Sequence, residues 1–237
     1  MKQLLKLSFL FVFILFFQNI SAQKYGIEAG FVQPKQSGAQ FRTTYFNGAR
    51  LGGNVEFELK NNFSLLTGAL YSLVYSDRTQ YYTSVDSVNY KTFQHALEIP
   101  IQVQYSLPVS KNFKFFAFAG PNIGIGLAQP QKVTAVFPID EKTLISETKL
   151  NLDAIIPENM KQFVRTESDS YADNDLYVKS MIQRINLQIS IGGGVQFKNY
   201  KLKGGYDFGI NSINKIDTSK LMRLQQNGWF VSLIYQF

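Results

Sequence analysis

The residues able to do chemistry are few. Cys is absent and His occurs once, as His95. Thiolate metal sites and multi-histidine zinc or iron centres are therefore excluded. Glu56 and Glu58 stand two apart, which puts both carboxylates on one face of a strand. Such a pair is capable of acid–base work, but a salt-bridged interior explains it more simply. Asp169, Asp173 and Asp175 lack the D-x-D-x-D-G spacing of a calcium loop, so they read as solvated acids. Gly192-Gly193-Gly194 falls inside an alternating segment, which suits close packing or curvature rather than a phosphate loop. A lipid-hydrolase pair of His and Ser two apart on one strand would need its nucleophile at 97, where Leu97 stands. No catalytic residue, cofactor or metal is assigned, and the chain is expected not to be an enzyme.

The elements that must position these residues alternate with period two. Eight segments do so: Tyr25–Gln33, Ala49–Leu59, Phe63–Tyr75, Phe93–Ser106, Phe113–Leu127, Arg184–Lys198, Lys201–Ile210 and Gly228–Phe237. Each reaches the roughly 9–11 residues a tilted membrane-spanning strand needs. One face of the fourth segment is Phe93, His95, Leu97, Ile99, Ile101, Val103 and Tyr105; the other is Gln94, Ala96, Glu98, Pro100, Gln102 and Gln104. The apolar faces hold no Lys, Arg, Asp or Glu, although 17% of the chain is charged. A lysine or arginine facing mid-bilayer lipid costs roughly 2–4 kcal/mol, so a lipid face must exclude charge. Aromatics gather at segment ends, as interfacial girdles do. The opposite arrangement, a soluble sandwich or lipocalin with its apolar face inward, is disfavoured by the glycines and mixed charges of the polar faces.

Composition bounds the rest. The 237 residues, 45% hydrophobic, are ample for a core. Met1–Ala22 has Lys2 and Lys6, an apolar run Leu7–Phe17 and small residues Ser21-Ala22, which reads as a secretory signal peptide cut near Ala22. Its removal lowers the formal charge from +7 to +5, with no basic run of the nucleic-acid type. The apolar stretch Phe115–Ala128 carries Gly120, Pro121, Gly124 and Gly126, which break a helix. A membrane form must then be a closed barrel.

The expected fold is all-β: an eight-stranded antiparallel transmembrane β-barrel over residues 23–237, with a large loop insertion at 128–183. Short links at 60–62, 108–112 and 199–200 alternate with long connections at 34–48, 76–92, 128–183 and 211–227. That pattern puts the long loops outside and both chain ends in the periplasm. Pro100 is expected at a bulge or a locally wide pair.

The alternating strands, with Leu97-Glu98-Ile99-Pro100 and Ala117-Phe118-Ala119-Gly120-Pro121, resemble the small outer-membrane β-barrel family of Bacteroidetes, the PorT-like or outer-membrane β-barrel domain family. The resemblance covers Lys24–Phe237 and implies an integral outer-membrane protein. The terminal strand, with Trp229, Val231, Leu233, Tyr235 and Phe237, looks like the signal read by the barrel assembly machinery.

Three groups of site residues follow. The interior is expected to collect Glu28, Arg50, Glu56, Glu58, Glu98, Lys114, Lys203 and Asp207, with Arg184 near the outer rim. Within 128–183, Leu152, Ile155, Ile156, Met160 and Phe163 form a candidate docking surface, against the blander reading of a loop packed on itself. The third is the terminal signal above. Expected partners are outer-membrane lipid, the assembly machinery and other outer-membrane proteins, and no nucleic acid. The first functional reading is a non-enzymatic structural or accessory component of a surface assembly, working through its loops; the alternative is solute or ion transport through the lumen.

Overall fold

The computed structural model describes residues 23–38, 41–81, 87–136, 175–177, 182–214 and 223–237. The expected signal peptide lies outside these residues. Among the described residues ten strands are formed: β1 Gln23–Gly38, β2 Phe41–Tyr45, β3 Asn47–Glu58, β4 Phe63–Tyr81, β5 Ser87–Pro108, β6 Phe113–Ala128, β7 Gln131–Val136, β8 Ile185–Phe197, β9 Tyr200–Gly209 and β10 Gln225–Gln236. They make one antiparallel sheet in the order β10-β9-β8-β6-β5-β4-β3-β1. Strand β10 also pairs with β1, from Gly26↔Gln236 to Ser37↔Gln225. Each of these eight strands thus has a hydrogen-bonded neighbour on both sides, and none is left as an edge.

The eight alternating segments correspond to these eight strands. The sheet continues further than the apolar alternation does. Strand β4 runs to Tyr81 and β5 begins at Ser87, paired through Tyr81↔Ser87. Two short strands were not expected: β2 pairs the end of β1 at Lys35↔Tyr45, and β7 pairs the start of β5 at Lys91↔Lys132. These extensions carry polar residues on both faces, so no hydrophobic period marks them.

The tight links lie at one end. Asn61 and Asn62 both adopt positive φ, at 60° and 64°, the conformation a two-strand reversal of matching twist requires. Lys198 does the same at 52° in the link from β8 to β9, one residue earlier than the expected 199–200 turn.

Burial alternates along the strands, with breaks such as the glycine-rich stretches of β8 and β9. In β5, Ile101, Val103 and Tyr105 are exposed while Gln102 and Gln104 are buried. In β10, Trp229, Val231, Leu233 and Tyr235 are exposed while Phe230, Ser232, Ile234 and Gln236 are buried. The enclosed face is therefore largely polar, and its apolar centre is the cluster Val32, Phe46, Val74, Phe116, Phe118 and Phe230. The glycines of β8 make room for it. A Cβ on Gly192 would meet the Phe118 ring at 2.5 Å, and one on Gly194 the Phe116 ring at 2.6 Å.

Pro100 is not at a bulge; the ladder opens locally there, the other arrangement expected for it. Its strand keeps one register across it, with Thr67↔Ile101 and Leu70↔Glu98 on either side and the two pairs between them unformed. The register shift lies instead at His95/Ala96, opposite the end of β6. The missing proline donor is absorbed by a local gap in pairing, without an inserted residue.

Candidate functional site

The enclosed face holds a column of charge. Glu28 on β1 is fully buried. Arg50 on β3 donates from Nη2 to Glu28 Oε1 at 2.7 Å and from Nε to Ser232 Oγ at 3.1 Å. Its Nη1 lies 3.6 Å from Glu98 Oε2, and its guanidinium sits 3.9 Å over the Phe230 ring. Lys203 on β9 lies 3.9 Å from the other oxygen of Glu28 and 4.8 Å over Phe118. Asp207 accepts from the Ser190 hydroxyl. Opposite charges taken out of water must pair, and hydrogen bonds must satisfy what remains.

A second group lies nearer the tight links. Lys201 Nζ stands 2.6 Å from Glu56 Oε2, which also accepts from Gln236 Nε2 at 2.6 Å. Glu56 Oε1 accepts from Ser64 at 2.7 Å and Gln104 at 3.1 Å. Glu58 pairs with Lys24, and Lys114 lines the same polar cavity of about 210 Å³. Of the expected interior residues, Glu28, Arg50, Glu56, Lys203 and Asp207 are buried, Glu98 lies beside Arg50, and Glu58 and Lys114 line the cavity near the tight links. Glu56 and Glu58 do not act as a couple: each has its own lysine.

Sequence reading missed Lys24 and Lys201, although parity with Glu28 and Lys203 marks both. It also missed the inward Phe116, Phe118 and Phe230. Alternation does not single these out, because the other face of their strands is apolar too.

The opposite end is covered by residues 175–177. Tyr177 is buried, its hydroxyl accepts from Gln94 Nε2 at 3.1 Å, and its ring lies where a Cβ on Gly126 would stand. Burial raises the Tyr177 phenol above its usual range. Arg184 sits 5.3 Å from that ring and donates to the carbonyls of Gly126 and Leu127. Beneath lies a cavity of about 40 Å³, lined by Glu98, Asp207, Asn186 and Gln188 among others. Asp175 was read as solvated but is buried, accepting from the backbone N–H groups of Gln129 and Tyr177. It ties the returning loop to the end of β6.

The outward face has its own order. Aromatic pairs Phe63–Tyr105 at 5.0 Å and Tyr200–Tyr235 at 5.1 Å ring the end with tight links. Phe31–Trp229 at 5.3 Å and Tyr75–Phe93 at 4.8 Å ring the other. His95 is on this face, with Nδ1 2.5 Å from the Tyr71 hydroxyl. The terminal residues Trp229, Val231, Leu233, Tyr235 and Phe237 all point outward. The docking residues Leu152, Ile155, Ile156, Met160 and Phe163, and the acids Asp169 and Asp173, lie outside the described residues. No cluster of metal-ligating side chains occurs among the described residues.

A sheet without free edges, apolar outside and polar within, is the arrangement of a β-sheet protein that lives in lipid. The chain belongs to the outer membrane protein beta-barrel domain family, whose profile matches residues 21–215. That membership places it in the outer membrane. Among solved structures it is similar to Neisserial surface protein A, with 11% identity over 92% of this chain and 100% of that one, and a TM-score of 0.45. It is also similar to Ail, the attachment invasion locus protein of Yersinia pestis, solved with the heparin analogue sucrose octasulfate. There the identity is 15%, the coverage 92% and 100%, and the TM-score 0.39. No curated protein matches. The assignment rests on the family match alone.

Proposed function

We propose that the chain is an eight-stranded transmembrane β-barrel of the outer membrane, non-enzymatic, acting as a structural or accessory component of a surface assembly through its extracellular loops. The observation that carries the membrane part is the uncharged outward band between two aromatic rings. On β4 the rings are set by Phe63 and Tyr75. Those twelve steps of strand, at ~3.3 Å each and tilted about 45°, span roughly 28 Å, close to the ~25 Å apolar band of such barrels. The tight links then face the periplasm and the β4–β5 extension faces outward. Signal-peptide cleavage near Ala22 and recognition of the Trp229–Phe237 strand by the assembly machinery belong to this reading. The stretches Leu97–Pro100 and Ala117–Pro121 support a place among the PorT-like barrels of Bacteroidetes.

The packed interior supports the structural reading over transport. Arg50, Lys203 and Lys201 are each buried against a carboxylate and an aromatic ring, and Tyr177 closes the outer mouth. Refolded protein in a planar bilayer is expected to be electrically silent; discrete conductance steps would establish the transport alternative. The loop tests the surface role. Replacing residues 137–174 with a short linker should leave the barrel folded and abolish cross-links to other outer-membrane proteins. Unchanged cross-links would remove Leu152, Ile155, Ile156, Met160 and Phe163 from the account.

A further inference from the structure

Among the described strand residues, charge on the outward face lies beyond the Tyr75–Phe93 ring. There Asp77, Lys91 and Lys132 form one row across three strands, in the register Asp77↔Lys91 and Lys91↔Lys132. Directly opposed residues have Cβ atoms about 4.5–5.5 Å apart, and like charges so placed are destabilising. Asp77 offsets only one of them. Its Oδ2 is 3.8 Å from Lys91 Nζ, and its carboxylate is already engaged by Asn89 at 2.6 Å and Tyr75 at 2.9 Å. Lys132 is exposed and has no carboxylate within ion-pair distance among the described residues. The row therefore holds one uncompensated positive charge. It stands one outward-facing position beyond Phe93 and Tyr75, at the level where an aromatic belt gives way to headgroups.

We propose that Lys91 and Lys132 together bind the phosphate of an outer-leaflet lipid headgroup, with the Tyr75 and Phe93 rings supporting the start of its acyl region. An anion between the two ammonium groups turns the unfavourable cross-strand pair into a bridged one. The fixed strand register holds them side by side, whereas two lysines on a loop would have to be ordered first. Lys35, outward at the same end of β1, faces Asn227 and Tyr45 and has no lysine opposite it. It marks what scattered charge alone can do.

The proposal rests on the membrane-spanning reading, and the test separates the two. The protein is refolded into phosphatidylcholine vesicles at low salt. Its preference for spin-labelled phosphatidic acid over spin-labelled phosphatidylcholine is read from the motionally restricted lipid fraction. The double variant Lys91→Gln/Lys132→Gln should lower that preference about thirty-fold, about five-fold for each lysine near a lipid phosphate, while Lys35→Gln lowers it by no more than about five-fold. An equal loss in Lys35→Gln, or no loss in the double variant, overturns the site while leaving the barrel intact. A lysine-dependent affinity for soluble heparin without any lipid preference also overturns it, in favour of a polyanion in solution. Failure of the wild-type chain to enter any vesicle defeats the membrane reading itself.

Discussion

Arg50 links four strands across the interior. It holds Glu28 and Glu98, donates to Ser232 and stacks on Phe230, and so joins β1, β3, β5 and β10 across the enclosed space. Replacing one partner of a buried ion pair leaves an uncompensated charge and typically costs about 3–5 kcal/mol. Arg50→Ala is therefore expected to lower the unfolding free energy by about that amount, measured by urea titration in lipid vesicles. The paired replacement Arg50→Ala/Glu28→Gln should recover much of the loss. If the single change costs less than ~1 kcal/mol, the column does not hold the strands together. Asp77 shows residue-scale tuning outside the membrane. Its hydrogen bonds from Asn89 and then Tyr75 hold its carboxyl below the usual aspartate range.

Strands were legible because their requirements repeat every second residue. Ile101, Val103 and Tyr105 alternate with Gln102 and Gln104 whether or not the fold is known, and all five take the expected side. The interior charges were legible for the same reason, since Glu28, Arg50, Glu98, Lys203 and Asp207 share the polar parity. The partnerships were not. Register across strands 145 residues apart in the chain, as for Lys201 and Glu56, is set by the closing of the whole sheet. Nor did β2 and β7 announce themselves, because polar residues stand on both of their faces and leave no apolar period. Pro100 stands at an opening in the ladder to β4, one of the two arrangements expected for it, while the register shift of its strand lies at His95/Ala96. The facing itself makes an element-scale prediction. Ile101→Arg puts a cation on the outward face and should cost roughly 2–4 kcal/mol of folding into bilayers, with Ile101→Met nearly neutral. Equal folding yields for the two would contradict the assignment.

On the scale of the whole molecule, two inversions distinguish this chain from a water-soluble β-sheet protein. Its exposed large side chains are apolar, among them Ile27, Leu51, Ile101, Ile191 and Leu233. Its buried ones include Lys201, Lys203, Gln102 and Gln104. In water such an exterior would be an aggregation surface; in lipid it is the stabilising one. Family membership agrees with that reading. The most direct measurement uses the absence of native cysteine. Single cysteines placed in turn from Leu97 to Tyr105, spin-labelled after refolding into vesicles, report access to oxygen dissolved in lipid and to a water-soluble nickel chelate. High oxygen access at 97, 99, 101 and 103, alternating with low access to both reagents at 98, 102 and 104, is the expected result. A flat profile, or nickel access at 101 exceeding that at 102, would contradict it.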